Sequence, residues 1–298
     1  HASQNAFTTA YGGEPLFYRP GWRKKGQMQN YTDSNAFNLI MPDELSQKRR
    51  DKSAYAFLPR FAHGDRMSYW VGDASNAYPK STGITRFRRH MVHLKPNILV
   101  VYDEVESNEE YTEWTYTLNA HQKITKNEQG NLISVDNGKG FATANLFSHS
   151  PFSTEIPEEP TLGHYNARIT TTEPSSSVRF LNVIELTKTT DEDQVHVAVA
   201  LSATGSDLIT VDTGTYEIKA QVNPDQPARL EIRSTDNSNV ALLYAEGINN
   251  LAVDNTTVLS GRYESSTLFM EKTIDKRGDI IEELVDELPD SITYSNKY

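Results

Sequence analysis

The chain of 298 residues contains no cysteine, which excludes disulfide bonds, thiolate metal sites and cysteine nucleophiles. No apolar run approaches the ~18 residues that a membrane-spanning helix requires, so the sequence predicts no membrane span. Zinc-protease, nucleophile-elbow, P-loop and dinucleotide-binding motifs are also absent. The common sequence signatures of these classes therefore give no functional assignment.

Helical periodicity is nearly absent as well. Short segments rich in β-branched and aromatic residues recur instead, and turn-forming residues separate them. These segments are 98–105, 113–121, 178–187, 195–203, 208–212, 216–222, 228–234, 240–247 and 267–274. The pattern predicts an all-β fold: a large antiparallel two-layer β-sandwich of the supersandwich type, with a smaller C-terminal β-layer.

Two segments have some helical character. DELSQKRRDKSAYAF (43–57) is highly charged, whereas DIIEELVDEL (279–288) repeats Ile and Leu at helical spacing and predicts a short C-terminal helix. Residues 150–175 contain four prolines and little periodicity, which is typical of a long loop or of a join to a second β-layer. We therefore divide the chain into a motif-bearing β-sheet region, 1–160, and a continuation of the sandwich or C-terminal β-layer, 161–298.

Charge is distributed unevenly along the chain. Residues 1–95 contain 15 Lys and Arg against 7 Asp and Glu, whereas residues 96–298 contain 14 against 33. An acidic protein with one basic segment is typical of a local site for an anionic ligand, although charges spread over solvated faces would give the same balance.

The basic stretch FYRPGWRKKGQMQNYTDSN (17–35) alternates arginine and lysine with Tyr18, Trp22 and Tyr31. Aromatic rings suit the apolar face of a sugar, and Arg19 can bind a carboxylate or sulfate. Nucleic acid is a competing ligand because bases stack and phosphates bind arginine. The absence of a nucleic-acid motif and the net charge of −11 disfavour it.

A second basic stretch, ITRFRRHMVHLKPNILVVYDEVES (84–107), reads as two strands. Strand alternation places Arg86, Arg88 and His90 on one face and Phe87, Arg89 and Met91 on the other. His90 and His93 then lie on opposite faces, which argues against a shared metal. Asp103 and Glu104 are separated in the same way, so we expect Asp103 to accept hydrogen bonds or to pair with an arginine within the sheet.

The other histidines are scattered along the chain. His63 and His121 are isolated in the sequence, and we interpret both as structural residues. His1 differs because of the residues that follow it.

Three runs of sequence resemble the β-sheet half of the heparinase II/III-like polysaccharide lyases. They are HASQNAFTTAYGGEPLFYRPGW (1–22), SNAFNLI (34–40) and FRRHMVHLKPNILVVYDEVES (87–107). The resemblance covers residues 1–121, and beyond them only the all-β character agrees.

The resemblance implies an N-terminal α/α toroid that packs against this region, with the active site in the cleft between them. The toroid would supply an Asn, a His and a Tyr acid or base, and the β half would supply one catalytic histidine, matched here by His1. The start of the chain at His1 is then expected to reflect removal of the toroid by truncation or by a proteolytic cut. The substrate-binding candidates are Gln4, Asn5, Tyr18, Arg19, Trp22 and Arg88.

The implied reaction is β-elimination in an acidic, uronic-acid-containing polysaccharide such as a glycosaminoglycan, by a carbon–oxygen lyase. This portion alone is expected to be inactive. A periplasmic or secreted bacterial location is expected, with the signal peptide outside this chain. Two alternatives remain open: a uronyl C5-epimerase, which abstracts the same proton, and a non-catalytic carbohydrate-binding or structural β-sandwich.

Many members of the family hold a structural zinc. The positions that match its ligands are Ser3, Arg19 or Pro20, and Ser34. None of these side chains is a good zinc ligand. We therefore expect no zinc at this position and no other cofactor, and we expect packing or hydrogen bonds to hold the strands together.

Overall fold

The computed structural model describes residues 3–19, 33–49, 51–160, 163–188 and 207–235, together with the backbone of four later strands. The His1, Trp22 and 195–203 predictions and the 279–288 helix lie outside these residues. Within them, no helix is long and apolar enough to cross a membrane.

An eight-stranded antiparallel sheet forms the middle layer, in the order β4-β5-β6-β7-β14-β11-β10-β9. Its strands are β4 (Phe57–His63), β5 (Met67–Asp73), β6 (Ile84–Leu94), β7 (Ile98–Tyr111), β9 (Ile124–Lys126), β10 (Leu132–Asp136), β11 (Gly140–Ser148) and β14 (Ser175–Lys188). Three short 3₁₀ helices lie in the connections: Ser34–Ala36, Ser75–Ala77 and Lys80–Thr82.

Two smaller antiparallel sheets are the outer layers. The four-stranded sheet, in the order β12-β13-β8-β3, contains β3 (Ile40–Pro42), β8 (Trp114–Ala120), β12 (Phe152–Glu155) and β13 (Tyr165–Thr171). The five-stranded sheet, in the order β15-β16-β17-β18-β21, contains β15 (Leu208–Asp212), β16 (Tyr216–Gln221), β17 (Leu230–Ser234), β18 (Ala241–Ala245) and β21 (Thr267–Glu271). Two ribbons complete the described strands: β1 (Ala10–Tyr11) with β2 (Glu14–Pro15), and β19 (Asn250–Val253) with β20 (Thr256–Ser260).

Both faces of the middle sheet are buried, which explains the continuous apolar runs in its strands. On β7, Leu99 and Val101 belong to the core shared with the four-stranded sheet. Val100 and Tyr102 belong to the core shared with the five-stranded sheet. The all-β sandwich prediction is confirmed, and the smaller C-terminal β-layer is the five-stranded sheet.

Two details of the prediction need correction. The helical character of the 43–57 sequence does not lead to a helix: its described residues form turns and loop until β4 begins at Phe57. Asp43 and Glu44 adopt positive φ angles of 39° and 63°, and this left-handed turn cannot start a helix. Residues 150–175 contain two strands of the four-stranded sheet, because all four prolines fall outside β12 and β13.

The domain division at residue 160 stays a prediction. The sheets do not change there, since β13 pairs with β8 and β14 pairs with β7.

A row of alternating charges crosses the middle sheet on the face toward the five-stranded sheet. In register, Asp73 lies opposite Arg88, Arg88 opposite Glu104, and Glu104 opposite Arg179. All four are at most 6% exposed. Arg179 donates through Nη1 to the carbonyl oxygens of Asn223 and Gln226, at 2.7 and 2.6 Å, and so ties the charged row to the loop after β16.

Glu104 is the most enclosed acid of this row. Its Oε1 lies 2.7 Å from His90 Nε2, and Arg86 Nη1 lies 3.7 Å from its Oε2. Burial alone would raise the pKa of Glu104. The hydrogen bond and charge of His90, together with Arg86 and Arg179, outweigh burial and lower that pKa to about 2.

We predict that Glu104 makes stability depend on pH. Because its pKa falls from 4.5 to about 2 on folding, its contribution is complete above pH 4.5 and is lost as the pH falls toward 2. The loss should be on the order of 3 kcal/mol. Urea unfolding across this window should show a flatter pH dependence for Glu104→Gln than for the wild type.

The matched control is Glu106→Gln, which changes the half-exposed partner of Arg86. It should leave the pH dependence unchanged, since an exposed ion pair contributes little. Identical slopes for the wild type and Glu104→Gln would contradict the prediction.

Candidate functional site

The opening segment, residues 3–19, lies across the edge of the sandwich made by the middle and four-stranded sheets. Phe7 forms an isolated β-bridge with Asn38, and the side-chain amide of Asn38 donates to the Phe7 carbonyl at 2.9 Å. Across the turn formed by β1 and β2, Thr9 N–H donates to the Phe17 carbonyl at 2.8 Å, and Leu16 N–H donates to the Thr9 carbonyl at 3.0 Å. Tyr18 N–H then donates to the Asn119 carbonyl at the end of β8, at 2.7 Å. The segment is therefore tied to the four-stranded sheet at both Phe7 and Tyr18.

Gln4 is held by a reciprocal pair of amide hydrogen bonds. Its backbone N–H donates to Gln47 Oε1 at 2.9 Å, and Gln47 Nε2 donates to the Gln4 carbonyl at 3.0 Å. The Gln4 side chain donates in turn to the Ala54 carbonyl at 3.1 Å. Its role in the structure is to anchor the start of the segment.

Asn5 turns the chain in a left-handed conformation, with φ of 65°. Asparagine tolerates this conformation better than most residues because its short side chain bonds locally. Asn5 Nδ2 donates to the Gly72 carbonyl on β5 at 2.7 Å. A Cβ on Gly72 would lie 2.0 Å from Asn5 Oδ1, so glycine is required for this close approach.

A buried ion pair fixes the backbone of Asn5. Arg89 on β6 donates Nε to Asp103 Oδ1 at 2.6 Å and Nη2 to Asp103 Oδ2 at 2.9 Å. Both residues are fully buried. Arg89 Nη1 also donates to the carbonyls of Asn5 and Asn38, at 2.6 and 2.8 Å. The expected pairing of Asp103 with an arginine is confirmed. The Arg89 guanidinium also links β6 and β7 to the opening segment and to the loop after the first 3₁₀ helix, which contains Asn38.

Aromatic rings enclose this guanidinium. Its Cζ lies 5.3 Å from the ring centre of Phe7, 5.8 Å from Phe87 and 5.6 Å from Tyr116. Burial alone would lower the pKa of Arg89, but the Asp103 carboxylate outweighs burial and raises it. The arginine is therefore permanently charged and its orientation is fixed.

At the position that matches the family's zinc site, the side chain of Ser34 is hydrogen-bonded to other residues of the protein. Ser34 Oγ accepts from Gln47 N–H at 3.0 Å and from Ser46 Oγ at 3.1 Å. Among the described residues, no three His, Asp or Glu side chains come close enough to share a metal ion. Ser3 and Ser34 do not fit zinc, so no chemical step is assigned to a metal here.

Tyr18 and Arg19 contact His121 just after the end of β8, and His164 lies beside His121. The rings of Tyr18 and His121 are 5.8 Å apart, and His121 Nε2 lies 3.2 Å from the Arg19 carbonyl. The pairing of Tyr165 with Ala120 brings buried His164 beside exposed His121. Burial and then the charge of His121 lower the pKa of His164, so it is neutral at neutral pH. We call Tyr18, Arg19, His121 and His164 the rim cluster.

Arg88 does not lie with the other sugar-binding candidates. It is 5% exposed, and its Nε donates to Asp73 Oδ2 at 3.2 Å on the face toward the five-stranded sheet. Gln4, Asn5, Tyr18 and Arg19 all belong to the opening segment. Arg88 is thus buried on the other face of the sheet, apart from these four residues, and its role in substrate binding stays a prediction.

Three contributors were missed by the sequence reasoning. Gln47 and Gly72 are common residues in unremarkable contexts, and no local pattern marks them. His164 carries no motif, and only the pairing of β13 with β8 places it beside His121.

The geometry defines a three-layer β-protein whose opening segment is anchored at an edge between sheets. Its sequence matches no protein-family model and no curated protein. Its fold is that of the C-terminal portion of solved polysaccharide-lyase structures. A heparinase III gene product aligns with a TM-score of 0.58 and 11% identity over 91% of this chain and 36% of that one.

Two further solved structures share the fold. Another heparinase III aligns with a TM-score of 0.54 and 13% identity, covering 82% of this chain and 35% of its own. A mutant heparan sulfate lyase from Pedobacter heparinus aligns with a TM-score of 0.56 and 7% identity, over 78% of this chain and 36% of its own. The chain thus spans about a third of the length of these structures, and at such low identity the likeness is one of fold.

We predict that Gly72→Ala destabilises the protein through Asn5. The new methyl group would displace the Asn5 side chain, at a cost of about 1–3 kcal/mol. In an Asn5→Gly background the same change should cost almost nothing, because the obstructing amide is gone and glycine accepts the positive φ. A double-mutant cycle by urea unfolding measures this coupling.

Gly140→Ala on β11 is the matched control. Its new Cβ would meet Leu16 and Tyr11 at ordinary contact distances of 3.5 Å. It should be close to neutral in both backgrounds. Equal costs for Gly72→Ala with and without Asn5 would refute the close approach as their cause.

Proposed function

We propose that this chain is the β-sheet portion of a polysaccharide lyase that cleaves a uronic-acid-containing glycan by β-elimination. The observation that carries the proposal is the fold shared with heparinase III and heparan sulfate lyase structures over most of the chain. The anchored opening segment supports it, because this segment carries Gln4 and Asn5 of the resembling motif and follows His1 directly in sequence.

In the proposed reaction a base removes the proton at C5 of the uronate. The C–H electron pair forms the C4–C5 double bond, and the C4–O bond breaks. An acid protonates the departing oxygen, so one unsaturated uronide and one new chain end result. The carboxylate beside C5 must be neutralised as the negative charge develops.

We assign His1 to proton transfer or to stabilisation of that carboxylate. Tyr18, Arg19 and Trp22 are proposed to bind the anionic sugar, and the rim cluster adds the exposed imidazole of His121 beside the first two. A phenol, a guanidinium and an imidazole all offer hydrogen-bond donors to a carboxylate or sulfate.

The remaining catalytic groups are proposed to come from an N-terminal α/α toroid of the same polypeptide. The family resemblance implies that this toroid supplies an Asn, a His and a Tyr acid or base. This portion by itself is therefore proposed to be inactive. Because such glycans lie outside the cytoplasm, we propose a periplasmic or secreted location in a bacterium.

The prediction concerns the polypeptide that contains both the toroid and this chain. Incubated with heparan sulfate, chondroitin, alginate and plant uronans, it should produce the ultraviolet absorbance of an unsaturated uronide on one of them. His1→Ala should abolish that absorbance. His149→Ala, which removes an exposed histidine paired with Asp207, should leave it unchanged.

Two results would contradict the lyase. Deuterium incorporation at C5 from heavy water with no unsaturated product would instead identify a uronyl C5-epimerase. Glycan binding without either reaction would identify a non-catalytic binding module.

A further inference from the structure

A pocket of about 260 Å³ opens between the opening segment and the first three strands of the middle sheet. Its walls include Asn5, Ala6, Phe57, Leu58, Trp70 and Met91. It lies on the face of the middle sheet that packs against the four-stranded sheet. The described strands of the four-stranded sheet do not cover this part of the face. This volume is below the ~300 Å³ lower limit for drug-sized ligand pockets and suits a single ring.

Trp70 and Met91 form part of the pocket wall, and Phe61 lies beside Trp70 on the neighbouring strand. Phe61 on β4 lies opposite Trp70 on β5, which lies opposite Met91 on β6. Phe61 is 64% exposed, and Trp70 is half-buried with part of its indole against the core. One edge of the indole is therefore fixed while the rest borders the pocket.

The polar groups in the wall are already engaged by the protein. Arg89 is neutralised by Asp103, and Asn5 Nδ2 donates to the Gly72 carbonyl. Within the described residues, the indole N–H of Trp70 donates to no partner. Recognition in this pocket must therefore come mainly from apolar surface, with the indole N–H of Trp70 as a donor for a hydroxyl group.

We propose that this pocket is a subsite for one pyranose ring of the glycan, stacked on Trp70. The inference rests on the proposed function for the identity of the glycan as an acidic one. A pyranose has an apolar face that matches an indole, and hydroxyl groups on its polar edge can accept the indole N–H. Asn5 and Ala6 line the pocket and belong to the opening segment, which the proposed function makes part of the sugar-binding region.

The neighbouring edge strand does not favour a protein strand as the occupant. β4 contains Pro59 and a register shift between Phe57 and Arg60. Proline and irregular pairing both block the addition of another strand at a sheet edge. The exposed side chain of Leu58 then serves as apolar surface in the wall of the pocket, and exposed Phe61 lies beside Trp70.

The test is calorimetric titration of the chain with two tetrasaccharides, one from heparan sulfate and one a neutral cello-oligosaccharide. Trp70→Leu keeps an apolar side chain against the core and removes the ring. It should weaken binding of the acidic tetrasaccharide about tenfold, whereas Trp70→Phe should retain most of the affinity. Phe152→Leu, a half-buried aromatic on β12, is the matched control and should bind like the wild type. Circular dichroism confirms the fold of each variant.

The outcomes separate the subsite from the proposed function. Equal affinity of Trp70→Leu and the wild type overturns the subsite and leaves the lyase assignment intact. Binding of the neutral tetrasaccharide alone, still lost in Trp70→Leu, supports the subsite and overturns the acidic substrate. Failure of the wild type to bind either sugar overturns the subsite. Self-association of the chain that Leu58→Ser abolishes also overturns it, because a second copy would then be the occupant of the pocket.

Discussion

The bidentate pair of Arg89 with Asp103 is the interaction on which the edge of this protein depends. It joins β6 to β7 inside the core and leaves Nη1 free to hold the carbonyls of Asn5 and Asn38. Removing either charge would leave the other buried without a partner, which typically costs ~3–5 kcal/mol. The opening segment is therefore held in place by a group whose charge cannot vary in the physiological pH range.

The middle sheet buries charge on both of its faces. Arg89 and Asp103 serve one face, and the row from Asp73 to Arg179 serves the other. Buried ion pairs contribute less to stability than apolar packing of the same volume, so their value here lies in register and orientation. A slip of one residue between β6 and β7 would separate Arg89 from Asp103 on one face and Arg88 from Glu104 on the other. Buried charges would then lose their partners on both faces at once. This constraint explains how a segment as charged as FRRH…YDEVES forms central strands.

Strand alternation was enough to predict much of this arrangement. It separates Arg88 and His90 from Arg89, and it is consistent with an Asp103 that accepts hydrogen bonds or pairs with an arginine within the sheet. Strand alternation does not show which face of the middle sheet contacts the opening segment. Both faces of this sheet are buried, so neither is distinguished by a pattern of polar residues. For that reason Arg88 was placed among the sugar-binding residues, although it pairs with Asp73.

Long-range contacts account for the other differences. The 43–57 segment is charged and free of strong turn residues, but the left-handed turn at Asp43 and Glu44 and the bond from Glu113 N–H to Asp43 Oδ1 are set by β8. Likewise, the rim cluster exists because β13 returns beside β8, where Tyr165 pairs with Ala120, 45 positions earlier in the sequence. Contacts between residues so far apart in sequence produce no local pattern from which they could be predicted.

The central claim is that Arg89 holds the opening segment on the sandwich. Native-state hydrogen exchange tests it most directly in a variant that carries both Arg89→Met and Asp103→Leu, since this pair of changes leaves no unpaired buried charge. The account predicts faster exchange of the Ala6, Phe17 and Tyr18 amides, with Val100 and Val183 still protected. Unchanged protection of those three amides would contradict it.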